Sequence, residues 1–247
     1  MLCKVTSGEA LEKLRPLFSD LRFAIGKTVL DGMAGEAWLL TPERTDAAFL
    51  TVKRYCFFAG NIPEDVLKEA LEGQFRACIW IPSAELIPVV ERLFEGRLTK
   101  NRRFALRRDL PPSMEKCRFY GDREIPGLTV RLIDPALAER SKTEKFLPLT
   151  ENYAERGIGV AALDGEKIVG VMSSGIVYRD GIELNLKVDK DYRGKGIATV
   201  LSARMLLECQ KRGIHAGWDA ANETSLHLAE KMGLELAHPY EVYQLTE

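Results

Sequence analysis

Apolar residues recur along this chain with two different periods, and the switches between them predict most of its elements. Leu11, Leu14 and Leu17 or Phe18 share one face of a helix over 9–18, which Pro16 bends or ends. Three short β-like runs follow at 37–40, 47–52 and 55–59, divided by Pro, Asp, Gly and Asn. Pro63 heads an amphipathic helix over 64–72, at a position where its missing N–H costs little. A compact buried strand is expected at 77–81. Another helix then runs from Pro82-Ser83 to Phe94, with Gly96 beyond its end. This α-β-β-β-α-β-α order describes an N-terminal α/β lobe over residues 1–110. No motif in it carries recognisable chemistry; a degenerate copy of the C-terminal fold is one reading of the order, but no convincing internal repeat is evident.

Lys100, Arg102, Arg103, Arg107 and Arg108 form one basic cluster, interrupted by Phe104 and Leu106. Either it contacts a phosphate or acidic substrate, or it is an amphipathic strand whose charges are solvated; the second reading is favoured. Pro111-Pro112 cannot continue a strand ladder, which places a linker at 111–127. The remaining 128–247 read as a second domain. A half-buried strand at 128–133 leads to Asp134 as a helix cap, with Pro135 in the first helical position and the helix ending near 142. A second helix is expected over 146–156, stopped by Gly157. Runs at 158–163 and 167–173 flank Asp164-Gly165 as a hairpin. A further turn near Asp180-Gly181 gives the strand 182–188. The fold class is α/β (α+β).

The stretch from Tyr192 to Thr199 joins that strand to a long helix beginning at Ile197, and two glycines, Gly194 and Gly196, punctuate it. First-turn N–H groups of a helix lack internal partners, and the helix dipole adds partial positive charge there. Glycines allow φ > 0 and leave no Cβ between backbone and ligand, so the junction suits an anion, above all phosphate. A P-loop would place a lysine after the second glycine; Lys195 lies between the two. A dinucleotide fingerprint would need a third glycine where Thr199 stands, although Asp219 mimics its ribose-binding acid. That rival is weakened.

Arg193-Gly194-Lys195-Gly196-Ile197-Ala198 matches the [QR]-x-x-G-x-[GA] signature of the GNAT acyltransferase superfamily, with Val188 at the usual spacing before it. Asn222 follows a strand at 215–219 and opens a helix that stops at Gly233, which also resembles that superfamily. The wording of Asp189 to Gly196, of Trp218 to Ser225 and of Leu228 to Lys231 is similar to a branch related to zwittermicin A self-resistance acetyltransferases. The resemblance covers roughly residues 128–245. It implies a mixed sheet splayed after its fourth strand and flanked by helices, with acetyl-CoA as cosubstrate.

In that reading the backbone from Gly194 through Ile197 and Ala198 to Thr199 holds the pyrophosphate, with Arg193 and Lys195 adding positive charge. Leu186 and Val188 offer strand backbone to the pantetheine arm, and Asn222 either contacts that arm or caps its helix. Glu183 is the candidate general base, beside Asn185 and Lys187 on one strand face, and Asp219 with Trp218 lines the cleft. The superfamily often supplies a tyrosine acid seven residues after the asparagine; here that position is Ala229. The expected function is N-acetyl transfer to a primary amine of a small molecule. A CoA-binding or sensing module without catalysis is the alternative.

Composition narrows the partners. A net charge of −1 argues against a general nucleic-acid or lipid-surface binder. No apolar run approaches the ~20 residues that span a bilayer. Five scattered cysteines suit a reducing compartment, so a cytoplasmic location is expected. His215, His227 and His238 lack ligand spacing, and no metal is expected. Oligomeric state is not legible.

Overall fold

The computed structural model describes residues 2–144, 146 and 153–246. The chain divides into two compact units, Met1–Arg103 with Pro239–Glu247, and Phe104–His238.

The first unit contains β1 (Cys3–Lys4), α1 (Gly8–Leu14), α2 (Lys27–Leu30), β2 (Glu36–Leu39), β3 (Ala47–Val52), β4 (Tyr55–Gly60), α3 (Glu64–Glu72), β5 (Ile79–Pro82) and α4 (Ile87–Leu93). It also holds most of β6 (Leu98–Leu106) and of the last strand of the chain, β13 (Leu236–Leu245). Neighbouring strands run antiparallel from β1 to β4, and β5 then lies parallel to β4. β13 lines the other edge of β5, pairing Tyr243 with Trp80. Phe49, Phe58, Trp80, Phe94 and Tyr243 are sealed in this unit's core. The bounds expected for 47–52 and 64–72 are those observed. Strong apolar spacing between Pro, Gly and Asn boundaries leaves little freedom there.

The second unit contains α5 (Met114–Gly121), β7 (Thr129–Leu132), α6 (Pro135–Thr143), α7 (Tyr153–Arg156), β8 (Gly159–Asp164), β9 (Lys167–Tyr178) and β10 (Gly181–Val188). α8 (Ile197–Lys211), β11 (His215–Gly217), β12 (Asp219–Ala220) and α9 (Glu223–Lys231) follow. Its sheet has the order β11-β10-β9-β8-β7, antiparallel except for β10 with β11. Two differences from the sequence reading concern helices. The expected linker, 111–127, carries α5, because Ser113 behind the two prolines caps it by accepting the N–H of Lys116. Cys117 on that helix is fully buried. Of the helix expected over 146–156, Tyr153–Arg156 is helical and 147–152 lie outside the described residues.

Apart from α5 and β12, the two units repeat one another in the order of their elements. Strand, helices, three antiparallel strands ending in β4 or β10, a helix, a parallel strand, a helix and a final strand occur in the same order in each. The final strands are exchanged. Phe104–Leu106 at the end of β6 belong to the second unit, where Ala105 pairs with Asp219 and Phe104 with Ala220. Pro239–Leu245 of β13 belong to the first.

The copies differ at the parallel pair. In the first unit β4 and β5 stay together along the whole of β5, from Tyr55–Ile79 to Phe58–Pro82, and the Ser83 N–H continues to the Phe58 carbonyl at 2.8 Å. In the second, β10 and β11 pair only from Gly181–His215 to Glu183–Gly217. The chain then swings away at Trp218, and β12 pairs with β6 instead. Beyond Glu183, no strand among the described residues pairs with β10, the fourth strand of this sheet, on the side away from β9.

Candidate functional site

The open edge of β10 leads into a loop, residues 189–196, that ends at the N-terminus of α8. Asp189 starts it: its N–H donates to the Val169 carbonyl, and its carboxylate accepts the Asp191 N–H. Lys167 Nζ lies 3.2 Å from the same carboxylate. These partners hold Asp189 below the ordinary aspartate range, the Asp191 N–H first and Lys167 second. Tyr192 braces the middle of the loop, its hydroxyl donating to Asp164 in the β8–β9 hairpin at 2.6 Å. Lys167 and Lys195 each place their ammonium 4.7 Å from the Tyr192 ring centre. A surface loop rich in Gly and Lys is thus tied down at both its start and its middle.

Gly194 and Gly196 have φ of +79° and +81°, the left-handed region that disfavours side chains. A Cβ built on either would meet nothing within 4 Å, so both glycines face open space. Gly196 caps α8, and its carbonyl accepts the first helical bond, from Val200. The N–H groups of Ile197, Ala198 and Thr199 therefore have no acceptor within the helix and point out of its end, with the dipole behind them.

Packing dictates where that end sits. Ile197, Val200, Leu201, Met205, Leu206 and Cys209 are buried in the unit's core, and large side chains of this kind contribute about 1.5–3 kcal/mol each. The first turn lies close against β9: a Cβ on Gly170 would be 2.8 Å from Ile197 Cγ2 and 3.0 Å from Leu201 Cδ1. Arg204 does not pair with Glu208, as i,i+4 spacing suggests. Its guanidinium donates to the carbonyls of Gly121 and Val130, and Glu208 pairs with Arg212. Two buried carbonyls within reach outweigh an exposed ion pair of a few tenths of a kcal/mol.

The remaining expected residues fall around the opening between β10 and β12. Leu186 and Val188 are half-buried against the core. Asn222 caps α9, its Oδ1 accepting the Ser225 N–H at 2.9 Å. Trp218 is buried, with its indole N–H donating to Ser225 Oγ at 3.1 Å. Ala229 is fully buried in the core, so nothing at that position reaches the opening. Glu183, the expected base, is 5% exposed and sits where the strands part. Its Oε1 accepts the backbone N–H of Asp219 at 2.6 Å. The alternation of β10 marks Glu183 as facing away from the α8 side, but not its burial, which depends on the distant strands β11 and β12. Among the described residues no group of three or more His, Cys, Asp or Glu side chains is placed to hold a metal ion.

The GNAT acetyltransferase family model matches residues 15–243, which takes in both units. The chain belongs to the GNAT acetyltransferase family. It is 25% identical over 196 residues to the uncharacterized N-acetyltransferase YdfB of Bacillus subtilis, covering 76% of this chain and 71% of that protein. A crystal structure of a GCN5-related N-acetyltransferase-like protein from Streptococcus suis matches with a TM-score of 0.85 at 27% identity, over 97% of this chain and all of the other. A tandem GNAT protein from the clavulanic acid biosynthesis pathway shares the fold, with a TM-score of 0.56 at 9% identity, over 98% of this chain and 96% of that one. As a GNAT protein the chain is an acyltransferase, with a mixed α/β fold. Among the described residues no helix is long and apolar enough to cross a membrane.

Proposed function

We propose that the second unit transfers an acetyl group from acetyl-CoA to a primary amine of a small molecule. The observation that carries this reading is the run of free N–H groups at the head of α8, beside two glycines that face open space and at the end of the open edge of β10. The amides from Gly194 to Thr199 suit the pyrophosphate, and Arg193 and Lys195 add screening charge at the surface. The open backbone of Leu186 and Val188 suits the amide groups of the pantetheine arm, and the Asn222 amide at the cap of α9 is a further contact for it. The thioester then lies toward the apex of the split, near Glu183.

The chemistry needs an uncharged amine. Glu183 accepts a proton from the acceptor ammonium, with Asp219 beside it as the second carboxylate of the cleft. The amine lone pair forms the C–N bond, the thioester C–S bond breaks, and its electron pair leaves on the CoA thiolate; the new amide nitrogen sheds its surplus proton to water, and the thiolate takes up a proton. No tyrosine acid stands at position 229, so that last proton comes from elsewhere, water included. The burial of Ala229 is also what favours the second reading, a module that binds CoA without turning it over.

The acceptor class rests on the motifs around Asp189, Trp218 and Leu228, which support a place beside the antibiotic self-resistance branch. All five cysteines are free thiols, which supports a reducing, cytoplasmic setting. A panel of small-molecule amines with acetyl-CoA, read by release of free thiol and by product mass, tests the function. Acetylated product supports transfer. CoA binding without turnover on any amine supports the silent module.

A further inference from the structure

At the apex of the split Glu183 belongs to a buried polar cluster whose other members, Tyr178 and Arg108, the transfer reading does not use. A Cβ on Gly217 would lie 2.5 Å from Glu183 Oε2, 2.6 Å from Tyr178 Oη and 3.0 Å from the Ile182 carbonyl. Gly217 thus makes room for a carboxylate and a phenol that converge on one point. Tyr178 is almost fully buried, and its hydroxyl donates to the Ile182 carbonyl at 3.1 Å. Behind it, the Arg108 guanidinium lies 5.0 Å from the Tyr178 ring centre. Arg108 follows the end of β6, the strand that pairs with β12, so exchange of the final strands brings it to this apex. Its Nη1 is buried and donates to no protein acceptor among the described residues. Burial drives the Tyr178 hydroxyl well above the usual tyrosine range; the Glu183 carboxylate adds to that and the Arg108 guanidinium opposes it. The Tyr178 hydroxyl therefore senses both charges from between them.

We propose that Arg108 is a positioning residue for the acyl transfer: through its stacked place on Tyr178 it supplies the counter-charge that keeps the buried Glu183 ionised and able to accept the acceptor's proton. A carboxylate this far out of water favours its neutral form unless a cation or strong donors oppose that. The Asp219 N–H supplies one donor. The other charged or titratable groups on the strands and turn near this point are Arg179, Asp180, His215 and Asp219, with Lys187 further along β10; Arg179 and Lys187 are exposed. Two of these are acids, which push Glu183 the wrong way, and histidine is charged only at low pH. Arg108 is the permanent cation stacked on Tyr178, whereas the charges of Arg179 and Lys187 are exposed and screened by water. The proposal rests on Glu183 acting as the base, and it assigns a role to one member of a basic cluster that otherwise reads as a solvated strand.

The experiment titrates the Glu183 carboxyl by carbon-13 NMR of glutamate-labelled full chain, with the resonance assigned by its loss in Glu183→Gln. The samples are the unaltered protein, Arg108→Met and Arg108→Lys, each checked for fold by circular dichroism. The expected midpoint in Arg108→Met is higher by about one pH unit, corresponding to about a tenfold lower kcat/KM below it, with Arg108→Lys recovering most of the difference. An unchanged midpoint in folded Arg108→Met and Arg108→Lys overturns the proposal. If the carboxyl midpoint moves while the acidic limb of kcat/KM stays put, Arg108 does act on Glu183 and the base assignment of Glu183 is what fails.

Discussion

The Glu183 side chain accepts the backbone N–H of Asp219 at the residue where β12 has just left its neighbour. A strand that departs from a sheet strands its own N–H groups, and an unpaired buried one costs about 1–3 kcal/mol. Glu183 takes the place of the lost strand. Glutamine keeps the accepting oxygen and alanine does not. Glu183→Ala is therefore expected to lower stability by about that amount, whereas Glu183→Gln melts close to the unaltered protein. Turnover in Glu183→Gln falls by about 10²–10⁴-fold, the usual yield of general base catalysis. Melting curves beside steady-state kinetics of the two variants check both halves.

Gly170 sets how close the head of α8 comes to β9. A methyl group there meets Ile197 and Leu201 at 2.8 and 3.0 Å, both side-chain ends that can give. Gly170→Ala is expected to keep the fold, at a cost of about 1–3 kcal/mol for overpacking, while pushing the first turn outward. Acetyl-CoA affinity should then fall at least severalfold, read by calorimetry, although residue 170 is not itself a member of the proposed site.

Exchange of the final strands makes the units depend on each other's chain. Tyr243 is sealed in the first unit's core, against a strand of that unit. Deleting residues 239–247 is expected to destabilise the first unit more than the second, by several kcal/mol, since Phe/Trp-sized core losses run about 3–5. A fragment starting at 111 lacks Phe104 and Leu106, which belong to the second unit's core. It should express poorly or bind acetyl-CoA weakly unless residues 104–110 are restored. Hydrogen exchange on the 239–247 deletion, compared unit by unit, decides which half has loosened.

Local patterns made most elements legible. Pro63 and the spacing of Leu67 and Leu71 define α3, and the glycine pair with the apolar run from Ile197 defines the loop and α8. What the sequence did not reveal depends on partners far along the chain. Ser113 follows two prolines and reads as loop, yet it caps a helix whose Cys117 packs in the core. The burial of Glu183 requires β11 and β12, and the position of Arg108 requires β6 to pair with β12. The repeat was hidden because its two copies keep the order of elements and not their residues. The loop of the first copy is three residues long, Asn61 to Pro63, and runs into Glu64 and Asp65 where the second has Gly194 to Ala198.

That contrast bears on the central claim. Acids in the first turn of α3 repel an anion, Pro63 has no N–H, and β4 and β5 never part. Among the described residues, it is the second unit that combines the proposed phosphate cradle with an open strand. Isothermal titration of the full chain with acetyl-CoA is the most direct measurement, run beside Thr199→Glu. A glutamate in the first turn of α8 favours the helix, and its charge opposes phosphate at the N–H groups. The account predicts one acetyl-CoA per chain, a loss of at least tenfold in affinity for Thr199→Glu, and no loss of melting temperature. Two equivalents per chain, or unchanged affinity in the folded variant, would contradict it.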